Sequence, residues 1–438
     1  MKRNRLVLTV TSILLLCAVT FSFVVCAAQN EAETNEKAET NKEQLSVTKK
    51  LSEGIRPNAV NANTLSPADN KKYTDFAVRL FKESEKSGEN TLISPLSVIY
   101  ALSMTANGAK GETLRQMEEV LGMSKDELNN YLFSYVRALP QGYSYKLTLA
   151  NSVWFKDSGD FTVNEDFLQT NADYYGADIF KAPFNEETLR DLNAWVNENT
   201  DGMIPEILDE IPPMAVMYLV NALTFEADWI DQYDKDSVRE STFTKEDGRT
   251  ETVEYMNGSE DCYLEDDNAV GFMKYYKGKK YAFVAMLPDE GVSVSEYAAS
   301  LDGEKLCNIL KNKSEHKVLT KIPKFTADYS VNLNTILSSM GIKDAFDGAK
   351  ADFTGLGNTD DNNLFIRRVL HKTHIEVGEL GTKAGAATAV EIALKGSVSH
   401  TPPKAVYLDR PFVYMLIDCE NNVPFFIGTM MDPTASAK

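Results

Sequence analysis

The sequence predicts an α+β fold on three observations. Helical periodicity is strongest early in the chain, strand-like alternation dominates late, and the two do not alternate in the strand–helix–strand rhythm of a parallel sheet. With 43% hydrophobic residues in 438, one large domain or two modest ones are affordable as buried cores.

Taken in order, Lys2, Arg3 and Arg5 precede an apolar run from Leu6 to about Val25, followed by Ala27 and Ala28. This is the layout of a secretory signal peptide over residues 1–28 and implies a secreted protein. An uncleaved membrane anchor or lipidation at Cys26 remain alternatives. Residues 29–67 are rich in Glu, Thr, Asn and Lys and read as a disordered tether. The domain follows over 68–438. Helices are expected at Asp69–Lys86, Pro95–Ala106, Gly111–Leu121, Lys125–Ala138, Thr188–Thr200 and Val331–Ser339. Ser94 before Pro95 is a helix start, with a hydroxyl to cap free amides and a proline where no donor is needed. Gly341 reads as a helix end. Strands are expected at Tyr145–Phe155, Met217–Phe225, Tyr281–Leu287, Lys317–Phe325, Ala405–Tyr407, Val413–Ile417 and Pro424–Met430.

Charge and chemistry exclude several functions. The net charge is −19, and removal of residues 1–28, which carry three positive and no negative charges, takes it to −22. Such a surface opposes nucleic-acid binding and favours a soluble monomer. Cys262, Cys307 and Cys419 have no short spacing, so neither a disulfide framework nor a zinc site is expected. His371 and His374 lie in "FIRRVLHKTHIEV", which alternates as a strand and sends them to opposite faces. No phosphate loop, nucleophile elbow or catalytic triad is visible, so no enzyme, metal or cofactor is expected.

One segment near the C-terminus is unusual. Along "GTKAGAATAVEIALKGSVS" the even positions Thr382, Ala384, Ala386, Thr388, Val390, Ile392 and Leu394 carry no charge. Lys383, Glu391 and Lys395, the segment's charges, all fall on odd positions. That is a strand with one buried and one solvated face.

"NTLISPLSVIYALSMTANGAKGETLRQM", "NSVWF", "LNAWVNENTDGMIPEIL", "LVNALTFEADW", "IPKFTADYSVNLNTILSSMGIKDAF", "VLHKTHIEVGELGTKAGAATAV" and "RPFVYMLIDCENNVPFFIGTMMDP" fall in this order over residues 68–436. Together they resemble the serpin family of suicide protease inhibitors. The resemblance implies three sheets, eight or nine helices and an exposed reactive loop at about 379–403. A serine protease would cut that loop and become acylated; the loop would then insert into the central sheet and trap the protease in a covalent 1:1 complex. The implied hinge is Glu379, Gly381, Thr382, Ala384, Ala386 and Thr388, small enough to enter quickly; Leu380 departs from the family's usual polar residue. Counting from Glu379 puts the cut at Lys395–Gly396, suited to a trypsin-like protease. Counting back from Pro402 and Pro411 moves it toward Ser399–His400. Ala393, Leu394 and Val398 would suit elastase-, chymotrypsin- or subtilisin-like proteases. Ser94, Ser97, Asn221 and His371 would form a polar cluster under the opening sheet, and Trp229 would mark where the loop enters. A non-inhibitory binding, carrier or chaperone protein on the same fold is the alternative, and an enzyme on an unfamiliar fold a third reading.

Overall fold

Nine α-helices and three principal sheets, of seven, six and four strands, are formed by the described residues. The computed structural model describes residues 48–157, 161–212, 215–358, 364–382 and 402–435. Residues 50–438 form one unit.

Sheet A, the largest, runs inward from Asp178–Ala182 through Tyr145–Lys156, Met217–Asp228, Gly381–Thr382 and Arg368–Val377 to Phe325–Asn332. Its strand Met217–Asp228 is buried on both faces over most of its length. On Met217–Asp228, Leu219, Leu223, Phe225 and Ala227 join the main core, while Tyr218, Val220 and Ala222 join a second core with Leu192 and Val196 of the helix Glu186–Asn199. Burial on both sides explains why this strand is apolar almost throughout. The helix Pro95–Ala106, buried at every residue, packs against sheet A and against the strand Val423–Met430 of the six-stranded sheet B. The four-stranded sheet C holds Val238–Thr244, Thr250–Glu260, Val318–Pro323 and Lys404–Tyr407.

Three expected helices appear with unchanged bounds: Pro95–Ala106, Gly111–Leu121 and Lys125–Ala138. Each has a local start or stop. Ser94 caps the first by accepting from Ser97 N–H, Gly122 ends the second in the left-handed region at φ 77°, and Ser124 and Glu127 form a reciprocal capping box on the third.

Two expectations need correction. The run Lys317–Phe325 is not one strand: it divides into Val318–Pro323 in sheet C and Phe325–Asn332 in sheet A. Pro323 cannot donate to a ladder, and Lys324 turns its N–H to Glu254 O as the chain changes sheets. Val331 lies on the second of these strands, opposite His371, so the following helix begins only at Asn334 and spans Asn334–Met340. Tertiary pairing outweighs the local helical pattern there.

The polar stretch up to residue 67 makes specific contacts over its described part. Asn58 donates from its backbone and side chain to Asp173 at 2.7 and 3.0 Å, Gln169 donates to Arg56 O, and Asn63 N–H donates to Ser134 Oγ at 2.8 Å.

Candidate functional site

Met217–Asp228 and Arg368–Val377 run parallel at the centre of sheet A. Their pairing extends from Tyr218 opposite Arg368 to Thr224 opposite His374, and there the two strands part. Above this point the chain reverses in a tight turn. Gly378 N–H donates to Gly381 O at 3.0 Å and Gly381 N–H returns to Gly378 O at 3.3 Å. Gly381 and Thr382 then descend into the gap, antiparallel to both neighbours, with Thr382 opposite Val377 on one side and Ala227 on the other.

These two residues fit because of their size. A Cβ on Gly381 would stand 1.9 Å from Ala227 O, closer than any contact tolerates, so glycine is required by the approach of the neighbouring strand. Thr382 shares a row with Ala227, whose side chain belongs to the main core, so the Thr382 side chain is directed inward. It is 0% exposed, and its hydroxyl meets Tyr276 OH at 2.5 Å. Burial raises the Tyr276 phenol well above its ordinary range, so it stays protonated in this contact.

The turn is held from outside by one short segment. Trp229 N–H donates to Leu380 O at 2.8 Å and its indole Nε1 to Gly378 O at 2.8 Å. Gln232 Nε2 also reaches Leu380 O, at 3.1 Å, and Tyr233 N–H reaches Glu379 O at 3.0 Å. The Trp229 ring stacks on Tyr276 with centroids 4.3 Å apart. Glu379 pairs with Lys324 at 2.8 Å, and Lys324 also holds Glu254 at 2.9 Å. Partial burial raises the Glu379 carboxyl, but the Lys324 hydrogen bond, a bond from its own backbone N–H and the Lys324 charge together leave it below its ordinary value.

Lower in the seam lies a polar cluster. His371 Nε2 accepts from Ser94 N–H at 3.0 Å, so Nδ1 carries the proton and donates to Asn221 Oδ1 at 2.6 Å. Ser97 Oγ lies 3.2 Å from the same Asn221 oxygen, and Asn221 Nδ2 donates to Leu370 O at 2.9 Å. Burial lowers the His371 pKa to about 3, which keeps the ring neutral. Neutral groups with several alternative partners lie across the seam and tie both central strands to the helix below.

Ser94, Ser97, Asn221 and His371 are thus brought together as expected. Trp229, Glu379, Gly381 and Thr382 form a second group at the upper end. The remaining hinge positions Ala384, Ala386 and Thr388 lie outside the described residues. So do Lys395, Gly396 and the alternatives Ala393, Leu394, Val398 and Ser399. His374 joins no metal set; it pairs with Asp328 at 2.5 Å. Sequence reasoning missed Tyr276, Gln232, Tyr233 and Lys324, whose partners Thr382, Leu380 and Glu379 lie 55 to 148 residues away in the chain, with no local pattern to mark them. Among the described residues no group of His, Cys, Asp and Glu has the arrangement of a metal site.

A family model described as Serpin (serine protease inhibitor) matches residues 71–433, and the chain belongs to the serpin family. A serpin-like protein of Thermococcus kodakarensis is 31% identical over 82% of this chain and 84% of its own length. The leukocyte elastase inhibitor of Equus caballus is 30% identical over 82% of this chain and 98% of its own. Among solved structures, the thermophilic serpin tengpin in its native state shares 47% identity and superposes with a TM-score of 0.84, covering 88% of this chain and all of that one. In its latent state the TM-score is 0.75 over 85% of this chain and all of that one. Thyroxine-binding globulin, complexed with thyroxine, is 25% identical with a TM-score of 0.74 over 84% of this chain and 99% of its own.

Proposed function

We propose that this serpin is a suicide inhibitor of serine proteases whose loop, once cut, completes the insertion that Gly381 and Thr382 begin. The observation that carries this reading is the pair of parted strands with a two-residue antiparallel wedge already between them. A protease serine attacks the carbonyl of the scissile residue, forms an ester with it and releases the amine of the next residue. The tethered half of the loop then zips downward and carries the acylated protease with it.

The register supports this. Thr382 pairs with Ala227 and with Val377. Extended downward, the same alignment would set Ala384 opposite Phe225 and Ile375, Ala386 opposite Leu223 and Thr373, and Thr388 opposite Asn221 and His371. Every uncharged even position would then fall on the core face, and a threonine would arrive at the polar cluster, able to take over hydrogen bonds as the strands part. The two states reported for tengpin, native and latent, support a fold with two arrangements of one chain.

The scissile bond is Lys395–Gly396 in this reading and the target a trypsin-like protease. Residues 1–28 act as a secretion signal, on the strength of their basic start, apolar middle and small-residue end. The test mixes the protein lacking residues 1–28 with trypsin-, elastase- and subtilisin-like proteases, followed by denaturing gels and mass spectrometry of the released peptide. A gel-stable complex with a peptide beginning at Gly396 is expected. A complex with another peptide would move the bond. Cleavage by every protease with no complex would leave the carrier reading that thyroxine-binding globulin exemplifies.

A further inference from the structure

Lys274 is a buried cation that the insertion scheme leaves unexplained. It lies on the strand Ala269–Tyr275, with its side chain 2% exposed and its Nζ 2.7 Å from Glu260 Oε1. Glu260 ends the strand Thr250–Glu260, so the pair joins sheet B to sheet C. The same ammonium donates to Asp231 O at 3.0 Å. It stands 4.5 Å from the centroid of the Tyr233 ring and 5.3 Å from that of Trp229.

Simple packing does not account for this arrangement. Burying two opposite charges carries a desolvation cost that an apolar pair of equal volume avoids, and such a pair holds sheets together as well or better. What the ammonium adds is direction. A carboxylate of one strand, and a carbonyl and two rings of another segment, all lie close to it, each attracted to positive charge. That carbonyl and both rings belong to the single segment 229–233. The same segment holds the hinge turn, through Trp229 N–H on Leu380 O and Tyr233 N–H on Glu379 O. Burial, with Asp231 and Asp261 adding to it, leaves the Glu260 carboxyl above its ordinary value despite the charge and hydrogen bond of Lys274.

We propose that Lys274, braced by Glu260, is a positioning residue for loop insertion: it fixes the segment 229–233, and through it the turn at which the inserting strand starts. A loose turn lets the first rows slip, insertion slows, and the acyl-enzyme is hydrolysed before the protease is carried away. The functional half of this inference rests on the inhibitory reading; the anchoring half does not.

The experiment compares wild type with Lys274→Met, with the double variant Glu260→Gln/Lys274→Met, which leaves no lone buried charge, and with Lys274→Arg. Hydrogen exchange in the free proteins is read at residues 229–233 and 378–382. Roughly tenfold faster exchange is expected there in both Met variants, with exchange elsewhere unchanged and the Arg variant near wild type. Against a protease that wild type traps, the Met variants should need several-fold more inhibitor per protease inactivated, and the Arg variant should not. Unchanged exchange in a folded Met or double variant would overturn the anchor. Faster exchange with an unchanged stoichiometry would overturn its role in insertion. If wild type traps no protease, the proposed function fails, while the exchange data still decide the anchor.

Discussion

The hydroxyls of Thr382 and Tyr276 lie 2.5 Å apart, and both side chains are closed off from solvent. In the proposed insertion this is the first inward contact of the new strand, made before any cut. Thr382→Arg would place a long cation where no space or partner exists, at a cost of about several kcal/mol. The variant should therefore be cleaved by the target protease yet form no gel-stable complex. Retention of the complex by Thr382→Arg would refute the register.

The opposite face makes a different prediction. In the proposed insertion, the alignment of Thr382 continued downward would bring Lys383 between Glu226 and Glu376. Lys383→Glu replaces two attractions with two repulsions on a solvated face, worth roughly 0.2–1 kcal/mol each. Inhibitor consumed per protease inactivated should rise a few-fold at low salt and return toward wild type at high salt. An effect that salt does not alter would place Lys383 elsewhere.

Asn221 is the hub of the polar cluster, accepting from His371 and Ser97 and donating to Leu370. Asn221→Ala removes the 2.6 Å acceptor of the buried His371 N–H and leaves it only Ser97 Oγ at 3.5 Å; it should lower native stability by about 1–3 kcal/mol, read as a lower melting temperature.

The His371 ring has an ordinary pKa of 6.5, lowered by burial to about 3 in the folded state. The unfolded chain therefore takes up a proton between these values while the native chain does not. Its contribution is full above about pH 6.5 and falls with decreasing pH, at up to about 1.4 kcal/mol per unit, until about pH 3. Denaturant melts from pH 7 to 4 should show a shallower slope in His371→Gln than in wild type. Equal slopes would mean that His371 does not titrate in this way.

Cleavage in the loop should raise the melting temperature sharply, because the freed segment is expected to become a full strand of sheet A. Calorimetry before and after limited proteolysis checks this. An unchanged melting temperature would count against a strained native state.

The sequence made much of this visible. Helices with local capping signals, such as that between Ser94 and Ala106, were legible because a hydroxyl, a proline and an apolar period coincide within a few residues. The even–odd alternation after Gly381 was legible because a strand with one buried face leaves a period of two; its start agrees with the inward Thr382. The polar cluster and Trp229 came from family resemblance, since nothing local distinguishes Asn221 or Trp229 from ordinary core residues. Tyr276, Lys324 and Lys274 were not legible at all. Their roles arise from partners on other sheets, and no periodicity encodes which distant strand a side chain will meet. The break at Lys324 was hidden for a related reason: two β-rich runs separated by one residue look like a single strand until the chain changes sheets.

The parallel seam in sheet A has a directional consequence. Parallel pairs hydrogen-bond somewhat less well per residue than antiparallel ones. The row where Gly381 meets Asp228 and Thr382 meets Ala227 and Val377 is antiparallel on both sides. In the proposed insertion each parallel row below it, from Thr224–His374 toward Tyr218–Arg368, would be replaced by two antiparallel rows. The exchange would thus be favourable at every step rather than only at the end, and the seam would work as a ratchet: a loop once released would have a downhill step at each residue, and retreat would mean giving up two ladders to regain one.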